Sequence, residues 1–101
     1  MLIFDYTKAM AQVKELRLIA SDMSKMRNSV LNNAINGVQN GWQGQTATEF
    51  LKKCDELNSI VLKEIGNIEK LADSLEHTSN AIQQAELKAK RILQENILRS
   101  K

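Results

Sequence analysis

Asn40-Gly41-Trp42-Gln43-Gly44-Gln45-Thr46-Ala47-Thr48-Glu49-Phe50 is the stretch whose reading decides the fold. It holds the only tryptophan, and three of the four glycines lie in it or just before it. Asn40-Gly41 reads as a helix stop, because glycine takes the left-handed conformation past a helix end at no steric cost and asparagine is the next most tolerant residue there. Thr46 and Glu49 read as a helix start, a threonine N-cap with glutamate three residues on, the pair that satisfies two orphaned amides reciprocally. The connection between stop and start has the length usual for antiparallel neighbours in a bundle. The chain is therefore expected to fold as an all-α, antiparallel two-helix hairpin over 1–101, with helices over 5–40 and 46–98 and a turn at 41–45.

Working outward, each arm carries its own apolar stripe. Asp5 is placed to cap the first helix and soften its dipole. From there Tyr6, Met10, Val13, Leu16, Ala20, Met23, Val30, Ala34 and Val38 recur at helical spacing, with Ile19, Met26, Leu31 and Ile35 widening the stripe. Arg27 interrupts it; its methylenes can line an interface while the guanidinium sits at the edge. In the second arm Phe50, Cys54, Leu57, Val61, Ile68, Leu71, Leu75, Ile82, Ala85, Ala89 and Ile92 follow one 4-3-4-3 series broken at Glu64 and Thr78. An apolar repeat near 3.5 residues, held over about six heptads, implies left-handed helix-on-helix packing. Ile60, Ile65, Ala72 and Leu93 broaden the stripe beyond what one neighbour can cover. Association through Val13, Leu16, Met23, Val30, Phe50, Leu57, Val61, Ile68, Leu71 and Leu75 into a four-helix bundle is the expectation. Gly37 and Gly66 read as points of close helix approach.

The arms differ in length. At about 1.5 Å per residue they span roughly 50 and 80 Å, so residues beyond about 85 project past the hairpin. This tail, 86–101, sets Leu87, Ile92, Leu93, Ile97 and Leu98 among Lys88, Lys90, Arg91, Arg99 and Lys101. An isolated amphipathic helix of that length is marginal in water, so it frays or docks.

Composition excludes several function classes. Proline is absent, aromatics make up 4% of the 101 residues, and the net charge is +2 and dispersed, which argues against β structure and against nucleic acid as a partner. One cysteine excludes an internal disulfide and a cysteine-based zinc site; Cys54 lies on the seam and reads as a buried, inert thiol. His77 is alone, without a second ligand or a catalytic neighbour. The acids and lysines of the second arm alternate as on a solvated face. No cofactor, no metal and no enzymatic activity are expected. Met1 to Tyr6 lacks a basic n-region and an apolar core, so no cleavable signal is expected, and no stretch is apolar enough to span a bilayer.

A chain of this size with two long helices, Trp42-Gln43-Gly44 at its middle and Phe50 soon after resembles the WXG family, the ESAT-like substrates of type VII (ESX) secretion. The resemblance covers about residues 5–90. It implies a helical hairpin that pairs antiparallel, as a homodimer or as a heterodimer with a related WXG or LXG-type helical protein. It also implies export after folding in the cytoplasm, through recognition by the secretion machine's membrane ATPase, with Trp42 and Gly44 in the turn motif. Many members carry Tyr-x-x-x-Asp/Glu past the end of the hairpin; the matching stretch here begins at Ile82 and ends at Glu86, keeping the acid and lacking the aromatic. That departure favours one half of a pair, an adaptor or chaperone for a larger secreted toxin. Trp42 is also expected to plug the bundle end with its large apolar area. The alternative is a membrane-active or structural hairpin whose basic tail, 86–101, lies on anionic lipid.

Overall fold

A computed structural model describes residues 4–100. Residues 1–3 of the Met1 to Tyr6 stretch lie outside them, as does Lys101 of the tail. The order is α1 (Tyr6–Met26), a π-helical turn (Arg27–Leu31), α2 (Asn32–Gly41) and α3 (Gln45–Arg99). Among the described residues there is no strand. The first arm folds back along α3 to make an antiparallel helical hairpin with extents of 86 × 16 × 16 Å. Its radius of gyration is 23.9 Å, against about 13 Å for a compact chain of this size. The molecule is a rod.

Asp5 opens α1: its carboxylate accepts the Lys8 amide at 3.0 Å. At the other end of the first arm the Trp42 amide donates to the Val38 carbonyl at 2.9 Å. Trp42 itself is extended, with φ −108° and ψ 146°, so the helix ends there. Two details of the turn differ from the sequence reading. Gly41 remains helical, and the glycine in the left-handed half of the map is Gly44, at φ 91° and ψ −167°. That region is essentially reserved for glycine. Thr46 is not the cap: α3 starts at Gln45 with Gly44 as N-cap. The Gly44 carbonyl accepts from both the amide (3.2 Å) and hydroxyl (3.3 Å) of Thr48, and Glu49 accepts from the Gln45 side chain at 3.3 Å. A turn made by backbone geometry at Gly44 needs no threonine cap, and Glu49 pairs with Gln45 instead.

The core between the arms is thin. α1 contributes Ala9, Val13 and Ala20, α2 contributes Val38, and α3 contributes Ala47, Cys54, Ile65, Ala72 and Ser79, all buried. Half-buried Leu51, Asn58, Val61, Ile68 and Leu75 fill the gaps, so the α3 seam reads 47, 51, 54, 58, 61, 65, 68, 72, 75, 79. This is an unbroken 4-3 repeat, and its small members let the arms approach closely. Gly37 and Gly66 do not serve that approach, since a Cβ at either meets no atom within 4 Å.

The π-helical turn corrects the phase of the first arm. The seam runs Ala9, Val13, Leu16, Ala20, Met23, Arg27 in threes and fours; regular continuation would present Val30, Ala34 and Gly37. One inserted residue presents Leu31, Ile35 and Val38 instead, and leaves Val30 and Gly37 exposed. Val30 is thereby removed from the position that spacing assigned to it.

Two glycines three residues apart therefore respond oppositely to the same change. Gly44→Ala is expected to cost about 1–3 kcal/mol, whereas Gly41→Ala, helical and open to solvent, is expected to be neutral or stabilising by up to about 1 kcal/mol. Urea unfolding of both variants at one protein concentration checks this; equal shifts of the same sign would contradict the assigned turn.

Candidate partner interface

The seam divides the hairpin surface into two unlike flanks. On one, Arg17 bridges the arms by pairing with Asp73 at 3.2 Å and with Glu76. These two carboxylates, Glu76 first, raise the arginine pKa above its ordinary value. A shallow groove beside them is lined by Arg17, Ser21, Ser24, Glu69 and Asp73. This flank is polar and solvated.

The other flank is an apolar ridge. Phe50, Leu57 and Leu71 stand at heptad intervals along α3, one step round from the seam, and all three are exposed, Leu71 by 56%. Ile60 sits beside them, and Ile19, Met26 and Val30 line the same side of the first arm, also exposed. At the turn, Trp42 packs on Phe50 with ring centroids 5.4 Å apart and planes tilted by 44°. It remains 51% exposed, so within one hairpin it crowns the ridge and does not plug the end. Exposed large apolar side chains outnumber buried ones along the rod, far beyond the scattered few of an ordinary surface.

The residues assigned to the interface by periodicity thus separate into two sets. Val13 is fully buried between the arms, and Leu16, Met23, Val61, Ile68 and Leu75 are half-buried along the same seam. Val30, Phe50, Leu57 and Leu71 are on the ridge. The 4-3-4-3 series beginning at Phe50 combined one row of the seam with one row of the ridge. The other seam row, Leu51, Asn58, Ile65, Ala72 and Ser79, of which periodicity gave only Ile65 and Ala72 and those as flanking residues, is less apolar, but its own seven-residue repeat of mostly small or branched residues was readable.

At the open end, the Phe4 amide donates to a Glu86 carboxylate oxygen at 3.1 Å, and the Tyr6 hydroxyl donates to Asn80 Oδ1 at 2.7 Å. Glu86 is thus engaged in closing the hairpin. Ile82, four residues earlier, is exposed. Beyond Glu86 α3 runs on alone, with Leu87, Ile92, Leu93, Ile97 and Leu98 all exposed.

Inside the seam one polar contact stands out. Arg27, at the start of the π-helical turn, donates from Nη1 to Asn58 Oδ1 at 3.0 Å, while its Nε is buried without a protein partner. Cys54 is buried and unpaired, and no group of histidine, cysteine, aspartate or glutamate side chains able to hold a metal occurs among the described residues. No described helix is long and apolar enough to cross a membrane.

Asn58→Leu alone is expected to strand the Arg27 guanidinium and cost about 1–3 kcal/mol. Arg27→Met with Asn58→Leu removes both polar partners and should restore or exceed the original stability. A double-mutant cycle by chemical denaturation measures this, and additive losses would contradict the pairing.

Comparison with known proteins places these features in a family. The family model WXG100, described as proteins of 100 residues with WXG, matches residues 5–87. No curated protein and no solved structure matches the chain.

Proposed function

Because the matching model spans most of its length, this chain belongs to the WXG100 family, small secreted proteins associated with type VII secretion, and we propose that it works as one half of a helical pair. The pair is exported together or serves as adaptor and chaperone for a larger secreted toxin. The partner is a related WXG or LXG-type helical protein or a second copy, and the machine's membrane ATPase is the receptor. We read the chain as an interaction protein and not as an enzyme.

The observation that carries this reading is the ridge. A hairpin whose interior is built from alanines, a serine and a few larger side chains, with Phe50, Leu57, Ile60 and Leu71 outside it, gains more from a second pair of helices than from its own closure. Each such side chain contributes about 1.5–3 kcal/mol when buried. The two ends of the rod are unequal. At the open end Ile82 lacks a phenol and Glu86 is held by the Phe4 amide, so this end makes a weak signal by itself. At the turn Trp42 is exposed, two residues before the positive-φ Gly44. The turn is the end offered to the machine, completed by the partner's acidic and aromatic element.

A second reading rests on the overhang, where exposed Leu87, Leu93, Ile97 and Leu98 lie among Lys88, Lys90, Arg91 and Arg99. Such a segment suits anionic lipid. Flotation with anionic and neutral vesicles tests it: retention on anionic vesicles alone, lost on neutralising these cations, favours lipid.

In a secretion assay, Leu57→Glu and Leu71→Glu are expected to abolish pairing and export while circular dichroism stays helical. Leu62→Glu, on the polar flank and equally exposed to solvent, should leave both unchanged. Trp42→Ala should reduce export of both members of the pair, with Glu86→Ala having the smaller effect. Undiminished export of the ridge variants would remove the basis of this function. If only Glu86→Ala blocks export, the chain carries its own signal and is cargo, not adaptor.

A further inference from the structure

Asn40-Gly41 stands where a helix stop is expected, yet Gly41 keeps helical geometry and the chain leaves the helix only at Trp42. The dipeptide is therefore not used as a stop. Asparagine followed by glycine has a reactivity of its own, because no Cβ shields the glycine amide nitrogen from the asparagine side chain one residue before it. The same pair occurs four residues earlier as Asn36-Gly37. All four residues are exposed, and a Cβ at either glycine would meet no atom within 4 Å. Neither pair serves packing.

The two pairs differ in how their peptide planes are held. Reaction requires the plane between asparagine and glycine to turn out of the helical conformation, so that the glycine nitrogen reaches the side-chain amide carbon. Both pairs lie in α2, where the Asn36–Gly37 plane is tied on both sides, its N–H to the turn before and its C=O to the turn after. The last amide bonded into this helix is that of Trp42, which donates to the Val38 carbonyl. The carbonyls of Gln39, Asn40 and Gly41 accordingly have no helical donor, and the Asn40–Gly41 plane is tied on one side only. It opens with the fraying of a helix end, without unfolding of the rod.

We propose that Asn40 is a site of spontaneous modification, deamidating through a succinimide while Asn36 stays intact, and that the change loosens Trp42 from Phe50. The Gly41 nitrogen gives up its proton to solvent base and bonds to Asn40 Cγ, closing a five-membered imide. The side-chain nitrogen takes up a proton and departs as ammonia. Water then opens the ring: cleavage at Cγ leaves aspartate, and cleavage at the main-chain carbonyl leaves isoaspartate, with one more carbon in the backbone. Either product puts a carboxylate at the negative end of the helix dipole. Isoaspartate also enlarges the ring closed by the Trp42 amide and the Val38 carbonyl, which encloses residues 39–41. That hydrogen bond holds the start of the turn from which Trp42 reaches Phe50, at a centroid distance of 5.4 Å.

The full chain, kept folded at mildly alkaline pH and sampled over days, is mapped by mass spectrometry of its peptides, with an isoaspartate-specific methyltransferase reporting the isomer. Asn40 is expected to convert about tenfold or more faster than Asn36. In urea, where both planes are free, the two rates should converge. Gly41→Ala, which the open space around that position accommodates, should suppress conversion at Asn40 and leave Asn36 unchanged. As product accumulates, emission from Trp42, the only tryptophan, should shift to the red, and Asn40→Gln should hold it constant over the same period. Equal rates at the two sites in the folded chain, or a faster Asn36, would overturn the proposal. So would a preference for Asn40 that persists unchanged in urea, since the fold then makes no choice between them. Conversion at Asn40 that leaves Trp42 emission where it was overturns the effect on the aromatic pair.

Discussion

Everything in this rod depends on the close packing of two helices along a seam of small side chains. Ala9, Ala20, Ala47, Ala72 and Ser79 are buried there, and small residues in the groove draw the helix axes together. Close approach spends the interior on backbone proximity and leaves little volume for large apolar groups, which then lie one step round the helix, in water. A thin core and an apolar ridge are two aspects of the same choice of residues. A chain of this size buries a modest share of its surface in any case, and an elongated hairpin buries less still. The exposed ridge is thus already implied by the alanines.

The fold was largely legible from the sequence. The absence of proline, the two helical periodicities and the glycines around Trp42 sufficed for a helical hairpin, and Asp5 caps the first helix as its position suggested. The length mismatch between the arms also gave the projecting tail, since counting at a constant rise needs no knowledge of packing. What the sequence did not show is local. The capping-box spelling at Thr46 and Glu49 was a plausible start signal, but the backbone requirement at Gly44 dominates it, and a positive φ leaves no trace in a motif that any threonine and glutamate can form. The π-helical turn was invisible for a related reason: one inserted residue changes no composition, only phase, and the half-polar run Arg27–Leu31 offers no sharp periodicity to show the slip.

The division of the apolar residues between seam and exposed ridge was half legible. Periodicity finds apolar residues and cannot say which of two adjacent rows faces the neighbour in the same chain. The series from Phe50 crossed from seam to ridge and back, since Cys54, Val61, Ile68 and Leu75 point to the first arm while Phe50, Leu57 and Leu71 do not. Weight given to size misled here: the row with alanine and serine in it is internal, and larger side chains such as Leu57 and Leu71 lie outside the hairpin. The turn repeats the pattern on a smaller scale. Trp42 has the area of a plug, yet its indole rests on Phe50 and keeps half its surface outside. This is an arrangement that places an aromatic pair where a second molecule can cover it.

We propose that the ridge is buried by a second helical hairpin, which a second copy of the chain or a related chain can supply. Small-angle X-ray scattering of the purified protein across a concentration series tests it most directly, because mass and length are read from the same curve. The account predicts the mass of two chains in a particle little longer than the 86 Å of one hairpin, with a thicker cross-section. The mass of one chain at every concentration, alone and as co-purified from the native cell, with a radius of gyration staying near 23.9 Å, would contradict it.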